Sequence, residues 1–119
     1  MIELINRAEK FCSKVESRLS DVAPLPSQDR VELRAKLGFC RNQIAHLRNL
    51  DEVKIENVLV REGLRHLIIG MMWVAFYART AIDYKLYRML LTVESTFTYL
   101  LMEQVPKYRR NGQGSHPHK

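Results

Sequence analysis

The residues of this sequence best placed to do chemistry are arginines. At about 100° per residue, Arg30, Arg34, Arg41 and Arg48 fall on one flank of a single helix, beside its apolar stripe and largely clear of it. Four arginines in one line make a strip that can track phosphates. Arg61 and Arg65, one turn apart on the next helix, and Lys107, Arg109 and Arg110 near the C-terminus spread positive charge over a face. Such a face binds a nucleic-acid backbone more than its base sequence. Tyr84, Tyr87, Tyr99 and Tyr108 can stack on bases where exposed, and Tyr84 and Tyr87 can instead pack at the edge of a bundle. The competing reading of the arginines is a solvated surface partly paired with Asp29, Glu32, Glu62 and Glu94. Net charge favours binding: 19 Lys and Arg against 13 Asp and Glu leave +6 over 119 residues.

The elements that must position these groups are helices. Ile5, Ala8, Phe11, Cys12, Val15, Leu19 and Val22 recur at three- and four-residue spacing, which predicts a first helix over residues 2–22. Ala23-Pro24-Leu25-Pro26 cannot continue it, and Ser27 supplies an N-cap for a second helix over 28–49. That helix buries Leu33, Leu37, Cys40, Ile44 and Leu47, and Gly38 inside it marks close helix packing. Asp51 is the candidate cap of a third helix over 52–79. It begins amphipathic at Val53, Ile55, Val58 and Leu59 and is apolar all round from Leu67. A helix apolar on every side needs two burial partners, the bundle core and a second subunit. A fourth helix over 82–105 carries Ile82, Leu86, Met89, Leu90, Val93, Phe97, Leu100 and Leu101 on one stripe and stops at Pro106. Short connections between four such helices predict an all-α, antiparallel up-down four-helix bundle over residues 1–106. Residues 107–119 read as a short flexible basic tail.

Composition narrows the function classes. With 46% hydrophobic residues the chain can close one core and one domain. The run Leu67 to Tyr77 falls short of the roughly 20 residues that span a bilayer, and the N-terminus shows no signal peptide, so a cytoplasmic protein without a membrane partner is expected. Cys12 and Cys40 sit at apolar helix positions without metal-ligand spacing and read as core residues. No phosphate-cradling glycine loop or metal cluster is present, and His116 and His118 alone make a weak site, so neither cofactor nor metal is expected.

Two resemblances sharpen the functional choice. Arg41-Asn42-Gln43-Ile44-Ala45-His46 is similar to the Arg-Asn-x-x-x-His signature of HEPN-family ribonucleases, small helical bundles that are usually dimers. That resemblance implies metal-independent RNA cleavage across a dimer interface. His46 would handle protons at the ribose 2′-hydroxyl, Arg41 would hold the scissile phosphate and Asn42 would orient the pair. The chain as a whole resembles the accessory variability determinant (Avd) proteins of diversity-generating retroelements. The resemblance rests on order and spacing: the Leu25-Pro26 step closing helix 1, a long basic helix 2 and an apolar helix 3 around Gly63-Leu64-Arg65. A helix 4 led by Tyr84 and Tyr87 follows, then the tail Arg109-Arg110-Asn111-Gly112-Gln113-Gly114. It implies a non-catalytic subunit that forms a homo-oligomer, a ring of five, and binds a reverse transcriptase and its template RNA. No binding residue is carried over from that family; the nominated cations come from the charge pattern.

Overall fold

Apolar residues at helical spacing leave this chain one way to hide them, which is to press the stripes of several helices together. The computed structural model describes residues 2–19, 26–79 and 82–113, with side chains described as far as residue 103. Among these residues lie four helices, α1 (Ile2–Leu19), α2 (Ser27–Arg48), α3 (Val58–Ala78) and α4 (Tyr84–Gln113). Phe11 and Val15 of α1, Leu33 and Leu47 of α2, Leu64, Leu67, Met71 and Val74 of α3, and Leu86 and Val93 of α4 are fully buried in one core. Each such side chain contributes about 1.5–3 kcal/mol by leaving water.

Cross-helix contacts fix the directions. Arg41 and Arg48 of α2 reach Glu16 and Glu9 of α1, so a step of seven forward on one helix matches seven backward on the other. Along α2 and α3 the neighbours run Leu47 with Gly63, Cys40 with Gly70, Lys36 with Trp73 and Asp29 with Arg79. The end of α1 meets the start of α4 through Arg18 and Asp83. These neighbours alternate in direction, making an up-down-up-down four-helix bundle in which α2 and α3 share the most extensive seam. That seam is close because Gly63 and Gly70 have no side chain. A Cβ at Gly63 would lie 2.7 Å from Leu47 Cδ2, and one at Gly70 would lie 2.9 Å from Cys40 Sγ.

The bundle corrects several boundaries. Pro26 occupies the cap position of α2 and Ser27 is already helical, with no side-chain cap bond. The third helix starts not after Asp51 but at Val58, where the Asn57 side chain accepts the Leu59 N–H at 2.9 Å. Residues 51–57 are irregular, and Ile55 there is buried by the loop while Val58 and Leu59 are exposed. Helix α4 opens after Asp83, whose carboxylate accepts the Leu86 N–H at 2.9 Å, and it does not stop at Pro106. A proline costs a helix one donor and crowds the preceding turn, and here the backbone carries on to Gln113. Gly38 is exposed with nothing within 4 Å of a Cβ built on it, so the close packing expected there occurs instead at Gly63 and Gly70. Leu19 is half-buried, and Val22 lies outside the described residues.

Candidate nucleic-acid interface

Helix α1 carries acids and bases on different edges, and this decides which cations of the bundle are free. Toward α2 it presents Glu9 and Glu16. Arg48 of α2 donates to both Glu9 carboxylate oxygens, at 3.0 and 2.9 Å, and to Asn6 Oδ1 at 2.7 Å. Arg41 pairs with Glu16 and lies 3.4 Å from Ser13 Oγ. The charge-assisted bonds hold the Glu9 carboxyl below its ordinary range and push both guanidiniums further toward the charged form. Two of the four arginines nominated on this flank are therefore neutralised.

The remaining nominated cations divide. Arg61 points inward and donates to the carbonyls of Ile55 and Glu56, each at 2.9 Å, so it closes the loop before α3. Arg65 lies 3.7 Å from Glu62 on the same helix. Asp29, expected near the α2 arginines, instead holds Arg79: Nη2 lies 2.9 Å from Oδ2, off the line of a hydrogen bond, so the contact is electrostatic. Arg79 caps α3 at φ 50°, where its backbone N–H donates to the Ala75 carbonyl. Arg30 and Arg34 are exposed and have no ion-pair partner among the described residues. They line a groove of about 590 Å³ with Glu16, Leu37, Gly38 and Arg41. The side chains of Lys107, Arg109, Arg110 and Tyr108 lie outside the described residues, on a backbone that is helical.

The densest group of free cations is on the opposite edge of α1. Arg7, Lys10 and Lys14 line a groove of about 370 Å³ against Lys85 and Arg88 of α4, together with Met89 and Thr92, and no acid is among the described residues of its lining. Lys10, Lys14 and Lys85 have no ion-pair partner among the described residues. Arg7 has only Glu3, at 3.9 Å, with both side chains largely exposed. Arg88 lies over the Tyr84 ring, 5.7 Å from its centroid. Sequence reasoning missed this groove. The signal was present, since Arg7, Lys10 and Lys14 follow three- and four-residue spacing as the α2 arginines do. The groove depends on α4 lying beside α1, which that spacing does not encode.

Beyond α4 lies a second groove of about 540 Å³, between α3 and α4. It is lined by Met72, Phe76, Tyr84, Tyr87, Leu90 and Leu91 among others, with Asp83 and Glu94 at its edge. Tyr84 and Tyr87 are exposed rather than packed in the bundle edge, and Tyr99 is exposed as well. The outer ridge of α3 is also apolar: Ile69, Trp73 and Phe76 are exposed, and Trp73 stacks on Tyr77 with centroids 5.8 Å apart.

The ribonuclease-like residues do not converge within one chain. Arg41 is held by Glu16, while His46, five residues on and about 140° around the helix, is exposed and absent from the groove that Arg41 lines with Glu9 and Arg48. Cys12 and Cys40 are buried free thiols. A hydrogen bond between them lowers Cys12 and, with burial, raises Cys40, as suits a pair of core residues across the α1/α2 seam. Among the described residues no three His, Cys, Asp or Glu side chains gather as metal ligands, and no helix is long and apolar enough to cross a membrane. No protein-family model, curated protein or solved structure matches this chain.

Proposed function

We propose that this protein is a non-catalytic accessory subunit that binds the phosphate backbone of nucleic acid along the α1/α4 groove. The observation that carries the reading is five Lys and Arg side chains converging on one groove with no acid among the described residues of its lining. Gathering like charges is unfavourable for the folded chain alone, and a polyanion relieves it by releasing its own condensed counterions. Arg30 and Arg34 extend the cationic surface on the far side of α1, whereas Arg41 and Arg48 serve the fold.

The resemblance to Avd proteins gives the binding a setting: a reverse transcriptase and its template RNA as partners, in a homo-oligomer. The exposed Ile69 and Trp73 of the α3 ridge, outside the lining of the α3/α4 groove, support contact with a second copy, because the bundle leaves that apolar surface in water. Sedimentation tests the assembly, and Ile69→Glu with Trp73→Glu should return an oligomer to monomer. Titration of a labelled duplex at increasing salt tests the binding. Log affinity should fall against log salt with a slope of about −3 to −5, as three to five neutralised phosphates require. A flat dependence would refute phosphate tracking.

A further inference from the structure

The α1/α4 and α3/α4 grooves lie on the two flanks of one helix, and the first two turns of α4 form the wall between them. Lys85 and Arg88 look into the cationic side, while Tyr84 and Tyr87 line the apolar side. Tyr84 is 72% exposed and Tyr87 49%, far more than aromatic residues that serve a core. The charge also divides. The apolar groove holds Glu94, while its Asp83 is engaged by Arg18 and its one cation among the described residues, Arg79, by Asp29. Phosphates are thus attracted to one side of the wall and disfavoured on the other, where flat rings and an acceptor for an amino group are on offer.

From this division we infer that the ligand is single-stranded nucleic acid. Its phosphates lie along Arg7, Lys10, Lys14, Lys85 and Arg88, and its unstacked bases cross the wall to stack on Tyr84 and Tyr87. A duplex cannot use the second groove, because its bases are already paired and stacked; it can only lay phosphates in the first. Arg88 over the Tyr84 ring backs one face of the platform and leaves the other open to a base, an arrangement in which stacking and cation–π attraction reinforce each other. The inference rests on the phosphate-binding reading of the α1/α4 groove and adds the strandedness of the ligand.

The test measures anisotropy of four fluorescein-labelled probes: a dT 12-mer, a U 12-mer, an abasic sugar-phosphate 12-mer and a 12-base-pair DNA duplex. Tyr84→Ala with Tyr87→Ala should weaken the two base-bearing single strands by about tenfold or more and leave the abasic strand and the duplex unchanged. Tyr84→Phe with Tyr87→Phe should restore binding, since the ring and not the hydroxyl does the stacking. Exposed positions on a helix accept alanine, so the circular dichroism spectrum should not change. Binding of the abasic strand as tight as that of the dT and U strands, or equal losses on all four probes in the alanine variant, would overturn the inference. Lys10→Glu with Lys14→Glu should weaken every probe. If it weakens none, the phosphate-binding reading itself falls, an outcome distinct from failure of base stacking alone.

Discussion

The two edges of α1 handle charge in opposite ways. Toward α2, Glu9 and Glu16 meet Arg48 and Arg41, and the cations are engaged by the fold. Toward α4, beyond the Arg18–Asp83 pair at the end of α1, Arg7, Lys10 and Lys14 meet Lys85 and Arg88, and no acid is among the described residues that line their groove. The same residue types therefore do different work a helix width apart. An arginine facing a carboxylate orients two helices, whereas a lysine facing another lysine raises the local potential and waits for an anion. Counting basic residues along a helix does not reveal which case applies; the facing helix does.

The largest effect expected from this contrast is on binding. Lys10→Glu with Lys14→Glu should lower affinity for nucleic acid by at least about tenfold at low salt, through lost phosphate contacts and added repulsion. The same change should raise the thermal midpoint, because glutamates opposite Lys85 and Arg88 replace repulsion by attraction. Opposite signs in a titration and a melt identify a groove kept cationic at the expense of stability. A variant that melts lower would show that the lysines support the fold.

The complementary change on the other edge should reverse the pattern. Arg41→Ala with Arg48→Ala should leave affinity within about twofold, since neither guanidinium is free for a phosphate. The thermal midpoint should fall by a few degrees as Glu9, Glu16 and Asn6 lose their partners. An affinity loss matching that of the α1 lysines would mean that the ion pairs open to ligand.

What could be read from the sequence follows from this contrast. Apolar periodicity is a property of one helix, so Leu33, Leu37, Cys40, Ile44 and Leu47 were all legible as core and all are buried. The same is true of Leu86, Leu90, Val93 and Phe97. The start of α3 was less legible, because Val53 and Ile55 mimic helical spacing while packing from a loop, and Asn57 supplies the cap. Charge was the least legible feature. Arg41 and Arg48 lie on the flank their spacing gives them, but their partners lie 25 and 39 residues away on α1. Arg61 looked like its neighbour Arg65 and instead satisfies two loop carbonyls. The five-cation groove required knowing that α4 sits beside α1, which helical periodicity does not encode.

Two glycines extend the comparison to stability. Gly38 lies in the α1/α2 groove with open space where a Cβ would go, so Gly38→Ala should stabilise the protein by about 0.5–1 kcal/mol and leave binding unchanged. Gly70→Ala gains the same helix propensity but places its methyl 2.9 Å from Cys40 Sγ and Phe39 Cδ2, and the buried sulfur has little room to retreat. Crowding of this kind costs about 1–3 kcal/mol, so the net effect should be destabilising. Chemical denaturation of the two variants reads both signs. A stability gain at Gly70 would show that the α2/α3 seam is looser than these distances.

The smallest effect, and the one that separates the two edges without mutation, is that of acid. Glu9 is held below the ordinary carboxylate range first by its hydrogen bond from Arg48, and Asp83 first by the Leu86 N–H and then by Arg18. A carboxyl whose folded-state pKa is depressed contributes stability in full above its unfolded value, and that contribution is lost as pH falls through the folded value. Thermal midpoints should therefore hold between about pH 8 and pH 5 and decline below about pH 4, where carboxylates begin to protonate. No carboxylate is among the described residues that line the α1/α4 groove, so affinity for nucleic acid should not weaken over the range in which the melt begins to decline. Glu9→Gln should flatten part of the acid decline and leave affinity untouched. If affinity and stability instead fall together from pH 6, a titrating group contributes to both edges and their separation is lost.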